Sequence, residues 1–257
     1  MSHKQRIIFV LVSIVSFALF FSVNWYVNYP IHREIRAKVV SHPEFIPSAN
    51  IVKISSSGYQ NIVADSYWLS AIQYIGANAI GSEYKKYLYV MINLITDLNP
   101  YFTYPYRIAL LLLPNYNERY ENLPEATINL NAQQSVTLGL KGIDTTCNKE
   151  KIEKISKEFD LRKLWTAEEY KNPCRDAMIP YYLAYVYYWN LHDGATASKY
   201  YRIASANDDA PTGSRAMAAI MQGKSGDREK AIVMFLSLAE SIGGKNAESC
   251  QKFSHDL

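Results

Sequence analysis

Side chains able to do acid–base, nucleophilic or metal chemistry are present in this chain, but they are scattered. The five histidines are His3, His32, His42, His192 and His255, most of them towards the ends of the chain. None stands in an HExxH pattern or beside a nucleophile motif. Gly223-Lys224-Ser225 is a fragment of a phosphate-binding loop. It lacks the upstream glycine and strand that would let backbone amides cradle a phosphate. Asp208–Asp209 is the nearest approach to a carboxylate pair. It precedes Pro211 and reads as a helix end, with a contact to a cation or a basic side chain as the alternative. Cys147, Cys174 and Cys250 form no CxxC and no zinc-type spacing with histidine. The expectation is a chain that is not an enzyme, with no catalytic residues, no cofactor, no metal and no small-molecule substrate.

Two groups of residues remain. Tyrosine is over-used, with 21 in the chain, and it concentrates in Tyr181–Trp189, "YYLAYVYYW". At helical spacing Tyr181, Tyr185 and Tyr188 share one face, while Tyr182 and Trp189 share another. Both faces cannot be core, so part of the set is expected to meet a ligand. Tyrosine suits that role because it offers contact area at low entropic cost together with a polar handle. Tyr104 and Tyr106 are weaker candidates of the same kind. The second group is Cys147 and Cys174, which flank a charged segment. In an oxidising compartment they would close it into a disulfide loop, worth about 3 kcal/mol; in a reducing one they would be thiols.

What must position these residues is a pattern written twice near the C-terminus. Asp193 recurs as Asp227, Ala197 as Ala231, Tyr201 as Phe235 and Ala204 as Leu238, each pair 34 residues apart. Ala184–Tyr185 likewise steps to Ala218–Ala219, and Gly226–Asp227 makes a turn where His192–Asp193 stands one period earlier. Small residues on one helix let a neighbour pack closely, and an aromatic four residues after an alanine lies on the same helical face. The spacing and residue types resemble the tetratricopeptide-repeat (TPR) family of helix–turn–helix units. The resemblance covers about 59–242 and is closest in the last two units. It implies an all-α fold, a right-handed helical solenoid whose concave face, lined by the first helix of each unit, binds a peptide or another protein.

Taken from its start, the chain has Lys4 and Arg6, then an apolar run from Ile7 to Val27. At about 1.5 Å per residue such a helix would reach about 30 Å, enough for a bilayer core. Trp25, Tyr26 and Tyr29 stand where an interfacial aromatic belt would lie. A cleaved signal peptide is the rival, but no Ala-x-Ala site follows the run. The reading is one transmembrane anchor over residues 7–27, within a stub-plus-anchor segment 1–30 whose stub is cytoplasmic. The C-terminal domain is then extracytoplasmic. A short amphipathic piece (Ile31, Ile35, Val39) and a Pro- and Ser-rich stretch make 31–58 a juxtamembrane helix and linker, with "SSSG" closing a linker over Ile51–Gly58.

Helices are expected over Ala64–Gly76, with Trp68, Ile72 and Ile75 on one face, and over Glu83–Leu98, with Leu88, Ile92 and Ile95 inward. Further helices are expected over Tyr104–Leu113, Ala132–Ile143 and Lys151–Phe159, and two more from near Pro180. A long insertion, "PNYNERYENLPEATINL", separates Tyr104–Leu113 from Ala132. The final unit runs from Ser214 to about Ile242. The helical repeats therefore span 59–245, and 246–257 is a loose tail. A net charge of +3 without a basic block makes nucleic acid an unfavoured partner. The function expected is a single-pass membrane scaffold, bacterial in style, that assembles proteins of an envelope or cell-surface complex such as a pilus or secretion machine. The alternative is a non-catalytic accessory subunit of an integral membrane enzyme complex.

Overall fold

The computed structural model describes residues 3–23, 25–26, 46–79, 84–116, 121 and 123–243. These residues form an all-α protein of twelve helices, with no strand among them. The helices are α1 His3–Val23, α2 Ala49–Ser55, α3 Gln60–Ala77, α4 Lys85–Leu98, α5 Thr103–Leu112 and α6 Glu125–Thr146. After them come α7 Lys149–Lys157, α8 Leu161–Thr166, α9 Met178–Trp189, α10 Gly194–Ser205, α11 Ser214–Lys224 and α12 Arg228–Gly243.

From α3 onward packing follows chain order. α3 lies on α4, α4 on α5, α5 on α6, α9 on α10, α10 on α11 and α11 on α12. The insertion α7–α8 leaves α6 free to meet α9, which also rests on α5. Two apolar cores result. One gathers Leu88, Ile92, Ile95, Ala109 and Leu113, and the other gathers Tyr106, Leu110, Ile179, Leu183, Tyr201 and Met234. α5 serves both, because successive residues of one helix turn to different sides. α6 approaches α5 and α9 closely because it carries glycine at the crossing points. A Cβ on Gly139 would lie 2.8 Å from Leu183 Cδ1 and 2.9 Å from Leu110 Cδ2. One on Gly142 would lie 3.1 Å from the Tyr106 ring.

Helix starts follow capping chemistry. Asn148, Asp160 and Asp193 accept hydrogen bonds from the amides of Lys151, Arg162 and Thr196 at the starts of α7, α8 and α10. Asp227 accepts from the Lys230 amide at 3.2 Å ahead of α12. The turns before α10 and α12 pass through the left-handed region, at His192 (φ 55°) and Gly226 (φ 95°).

The structure revises several expectations. Ile51–Gly58 is not a linker: α2 occupies most of it and buries Val52 against the first core. The folded body therefore begins ahead of Tyr59. The end of the insertion before Ala132 is helix, since α6 already starts at Glu125. The loop before it is held down by Lys85, whose ammonium sits 2.6 Å from the Glu121 carboxylate and also donates to the Asn115 carbonyl. Both side chains of that pair are buried. Leu88, Ile92 and Ile95 are fully buried, as their spacing predicts, whereas Ile72 stays exposed. Among the described residues no helix is long and apolar enough to cross a membrane. In α1 the described apolar side chains between Phe9 and Val23 are exposed, and residues 24 and 27 of the span expected over 7–27 lie outside the described residues. The amphipathic piece at Ile31–Val39 and the tail 246–257 lie outside the described residues.

Candidate functional site

α9 presents the aromatic cluster. Its inner side, Ile179, Pro180, Leu183, Ala184 and Val186, is buried against α5, α6 and α10. Pro180 sits in the first turn, where it sacrifices no intrahelical bond. The remaining arc carries the aromatics. Trp189 is 56% exposed and Tyr185 36%, their rings 6.0 Å apart, and Tyr188 meets Trp189 edge-on at 5.0 Å. Lys224, at the end of α11, donates to the Tyr188 hydroxyl at 2.5 Å and lies 4.9 Å from its ring centre. Tyr185, Tyr188 and Trp189 thus form one contiguous aromatic surface, tied to α11 on one side.

Tyr181 and Tyr182 are half-buried and lean inward. Tyr181 packs edge-on against the buried Tyr201 at 5.4 Å and against Tyr182 at 5.7 Å. Tyr187, on the same helix, stacks on Tyr200 at 5.5 Å. Burial raises the Tyr187 hydroxyl above its ordinary range, with the Asp193 carboxylate adding to it, and pushes Tyr200 up to about 12. These phenols are structural and neutral at ordinary pH.

On neighbouring α5 the two candidates part company. Tyr104 is exposed, with the Arg107 guanidinium 4.9 Å from its ring centre. Arg107 also reaches Asp176, just ahead of α9, at 3.5 Å. Tyr106 is fully buried and its hydroxyl donates to the Pro100 carbonyl, so it is a core residue and not part of a binding surface. Leu111 on α5 and Ile220 on α11 are exposed apolar residues the aromatic pattern did not find. Their only sequence signal is an apolar residue on the polar arc of a helix.

Cys147 and Cys174 are bonded, S–S 2.07 Å. The bond joins the end of α6 to the segment before α9. It is flanked by backbone hydrogen bonds from Asn148 N to Pro173 O (2.7 Å) and from Arg175 N to Thr146 O (3.0 Å). The loop so closed holds α7 and α8, and a buried cation fixes it from the other side. Arg202 of α10 donates to the carbonyls of Ile155 (2.8 Å), Ser156 (3.3 Å) and Glu158 (2.6 Å) at the end of α7. Its guanidinium also lies 4.3 Å from the Phe159 ring centre. Burial lowers the Arg202 pKa to about 10, with Glu158 opposing the shift. The Leu161 amide then donates to the Ser237 hydroxyl of α12 at 3.0 Å.

An open cleft of about 450 Å³ lies between α6, α7 and α10, floored by Leu140, Ile143 and Ile152 and rimmed by Asp144 and Lys199. None of the α9 aromatics lines it. Among the described residues no three His, Cys, Asp or Glu side chains gather as a metal ion would require. The described residues thus offer an exposed aromatic surface and a stapled insertion. Compared with models of protein families, with curated proteins and with solved structures, the chain matches none.

Proposed function

We propose that this chain is a membrane-anchored scaffold of TPR-like two-helix units, arranged as a right-handed solenoid, that holds a peptide segment of another protein during assembly of an envelope or cell-surface complex. The observation that carries the reading is the aromatic surface of the exposed Tyr185 and Trp189 with the half-buried Tyr188 beside them, and Tyr104 on the neighbouring helix. Large aromatic side chains left in water over a well-packed helix are typical anchors for a partner. The repeat reading draws support from local geometry 34 residues apart. Asp193 and Asp227 cap in the same way, His192 and Gly226 both take positive φ, and Ala197 and Ala231 are both buried. Tyr185 departs from the pattern, being exposed where Ala219 is buried. The Cys147–Cys174 bond favours an oxidising, extracytoplasmic setting for the body. The exposed apolar side chains of α1 favour its insertion in lipid.

The test is co-purification of the full chain from membranes in mild detergent. Tyr185→Ala with Trp189→Ala should lose the bound protein while keeping the helical content and melting temperature. An unchanged set of bound proteins would reject the aromatic surface as the docking site. The exposed apolar side chains of α1 also favour the second reading, an accessory subunit that packs through its span. Replacing residues 7–27 with an unrelated transmembrane helix separates the two: a scaffold keeps its partner, and a subunit held by its span loses it.

A further inference from the structure

We propose that the cleft between α6, α7 and α10 binds an alkyl carboxylate, its hydrocarbon chain lying on Leu140, Ile143 and Ile152 and its carboxylate meeting the Lys199 ammonium. The cleft holds about 450 Å³, and small-ligand sites typically run from about 300 to 1,000 Å³. Its apolar floor is aliphatic throughout, with no aromatic ring among the lining residues. Leu140 is 40% exposed there and Ile152 is half-buried, so hydrocarbon surface is left for a ligand to cover.

The class of ligand follows from which lining groups are already satisfied. Asp144 and Lys149 pair with each other at 2.5 Å. Glu153 is paired with Lys157 at 2.7 Å, and the Ser156 hydroxyl donates to the Glu153 carbonyl at 2.6 Å. Lys199 differs from them. It is half-buried, its ammonium lies 5.7 Å from the Tyr200 ring centre, and it makes no ion pair among the described residues. One cation without a counter-ion, beside an aliphatic floor, asks for one anion on a hydrocarbon body. A peptide laid in the cleft would need partners for its own amides and carbonyls, which the lining does not hold in reserve. An alkyl chain needs none. A singly charged carboxylate also matches one ammonium better than a phosphate monoester, which carries nearly two charges.

The stapled insertion gives the cleft its permanence. α7 is one wall, fixed at its start by the Cys147–Cys174 bond and at its end by Arg202 on the carbonyls of Ile155 and Glu158. A wall held at both ends keeps the cleft formed before a ligand arrives, which lowers the ordering cost of binding. None of the α9 aromatics lines the cleft, so the inference stands independently of the scaffold reading.

The experiment uses the full chain in mild detergent with a decanoate analogue that carries a photoactivatable diazirine at its chain end. After illumination, peptide mapping should place the label on α6 and α7, around Leu140 and Ile152. Decanoate should compete with the labelling, whereas decyltrimethylammonium, of like chain and opposite charge, should not. Octanoate, two methylenes shorter, should compete about tenfold less well. Lys199→Gln should raise the half-maximal analogue concentration about tenfold. Leu140→Trp, which fills the cleft from an exposed position, should abolish labelling with the melting temperature unchanged. Label found only outside α6 and α7, or labelling of α6 and α7 indifferent to Lys199→Gln, would overturn the proposal.

Discussion

His192 holds a left-handed backbone, φ 55°, in the turn between α9 and α10, where Gly226 serves the matching turn before α12. A side chain with a Cβ is strained there, whereas glycine is not. His192→Gly should therefore raise stability by up to about 1 kcal/mol, read as a higher midpoint in urea; a lowered midpoint would mean the imidazole contributes contacts outweighing that strain. The turn was legible in the sequence because the 34-residue spacing aligned His192 with a glycine. The contrast between Tyr104 and Tyr106 was not. Two residues apart on a helix, they point to nearly opposite sides, so at most one can face water. Which one depends on where α6 crosses, and that is set by Gly142 and Gly139, more than thirty positions downstream. The role of Tyr187 is hidden in the sequence for the same reason: its partner, Tyr200, lies on the next helix.

Among elements, the long ones with a regular apolar period were readable, and α4 is the clearest case, with Leu88, Ile92 and Ile95 all fully buried. The short α2 was not, because Val52 is its only buried residue and one residue shows no period. The start of α6 was hidden by a polar first turn that packs little. The stapled insertion was readable as two cysteines flanking a charged helix. What fastens its far side, Arg202 on three carbonyls, could not be read, since backbone acceptors leave no trace in side-chain pattern. Replacing both Cys147 and Cys174 with serine should lower stability by about 3 kcal/mol, measured by urea denaturation. The α7–α8 amides should then exchange hydrogen faster than those of α4. Equal exchange in both regions would show that Arg202 and Ser237 hold the insertion without the bond.

At the scale of the whole molecule, the second core is rich in phenols. Tyr200 is raised to about 12, first by burial and then by Tyr187; Tyr201 is raised by burial and then by Tyr181, and Tyr106 by burial. A group whose pKa is higher in the folded state binds its proton there after the unfolded chain has released it. Its contribution is fully present below about pH 10 and is lost as pH rises through the folded value. The melting temperature should therefore fall between pH 10 and 12, and Tyr200→Phe should flatten part of that fall. A variant that declines as steeply as the parent would assign the loss to other groups.

The grip of Arg202 on the end of α7, with the disulfide on one side and Ser237 on the other, ties three successive parts of the body together. α9, α10 and α12 cannot move apart without breaking one of these ties. The spacing between those helices is thus settled before anything arrives. On the proposed scaffold reading, a peptide docking on α9 would find a ready-made bed, and little motional freedom would be forfeited as it settled.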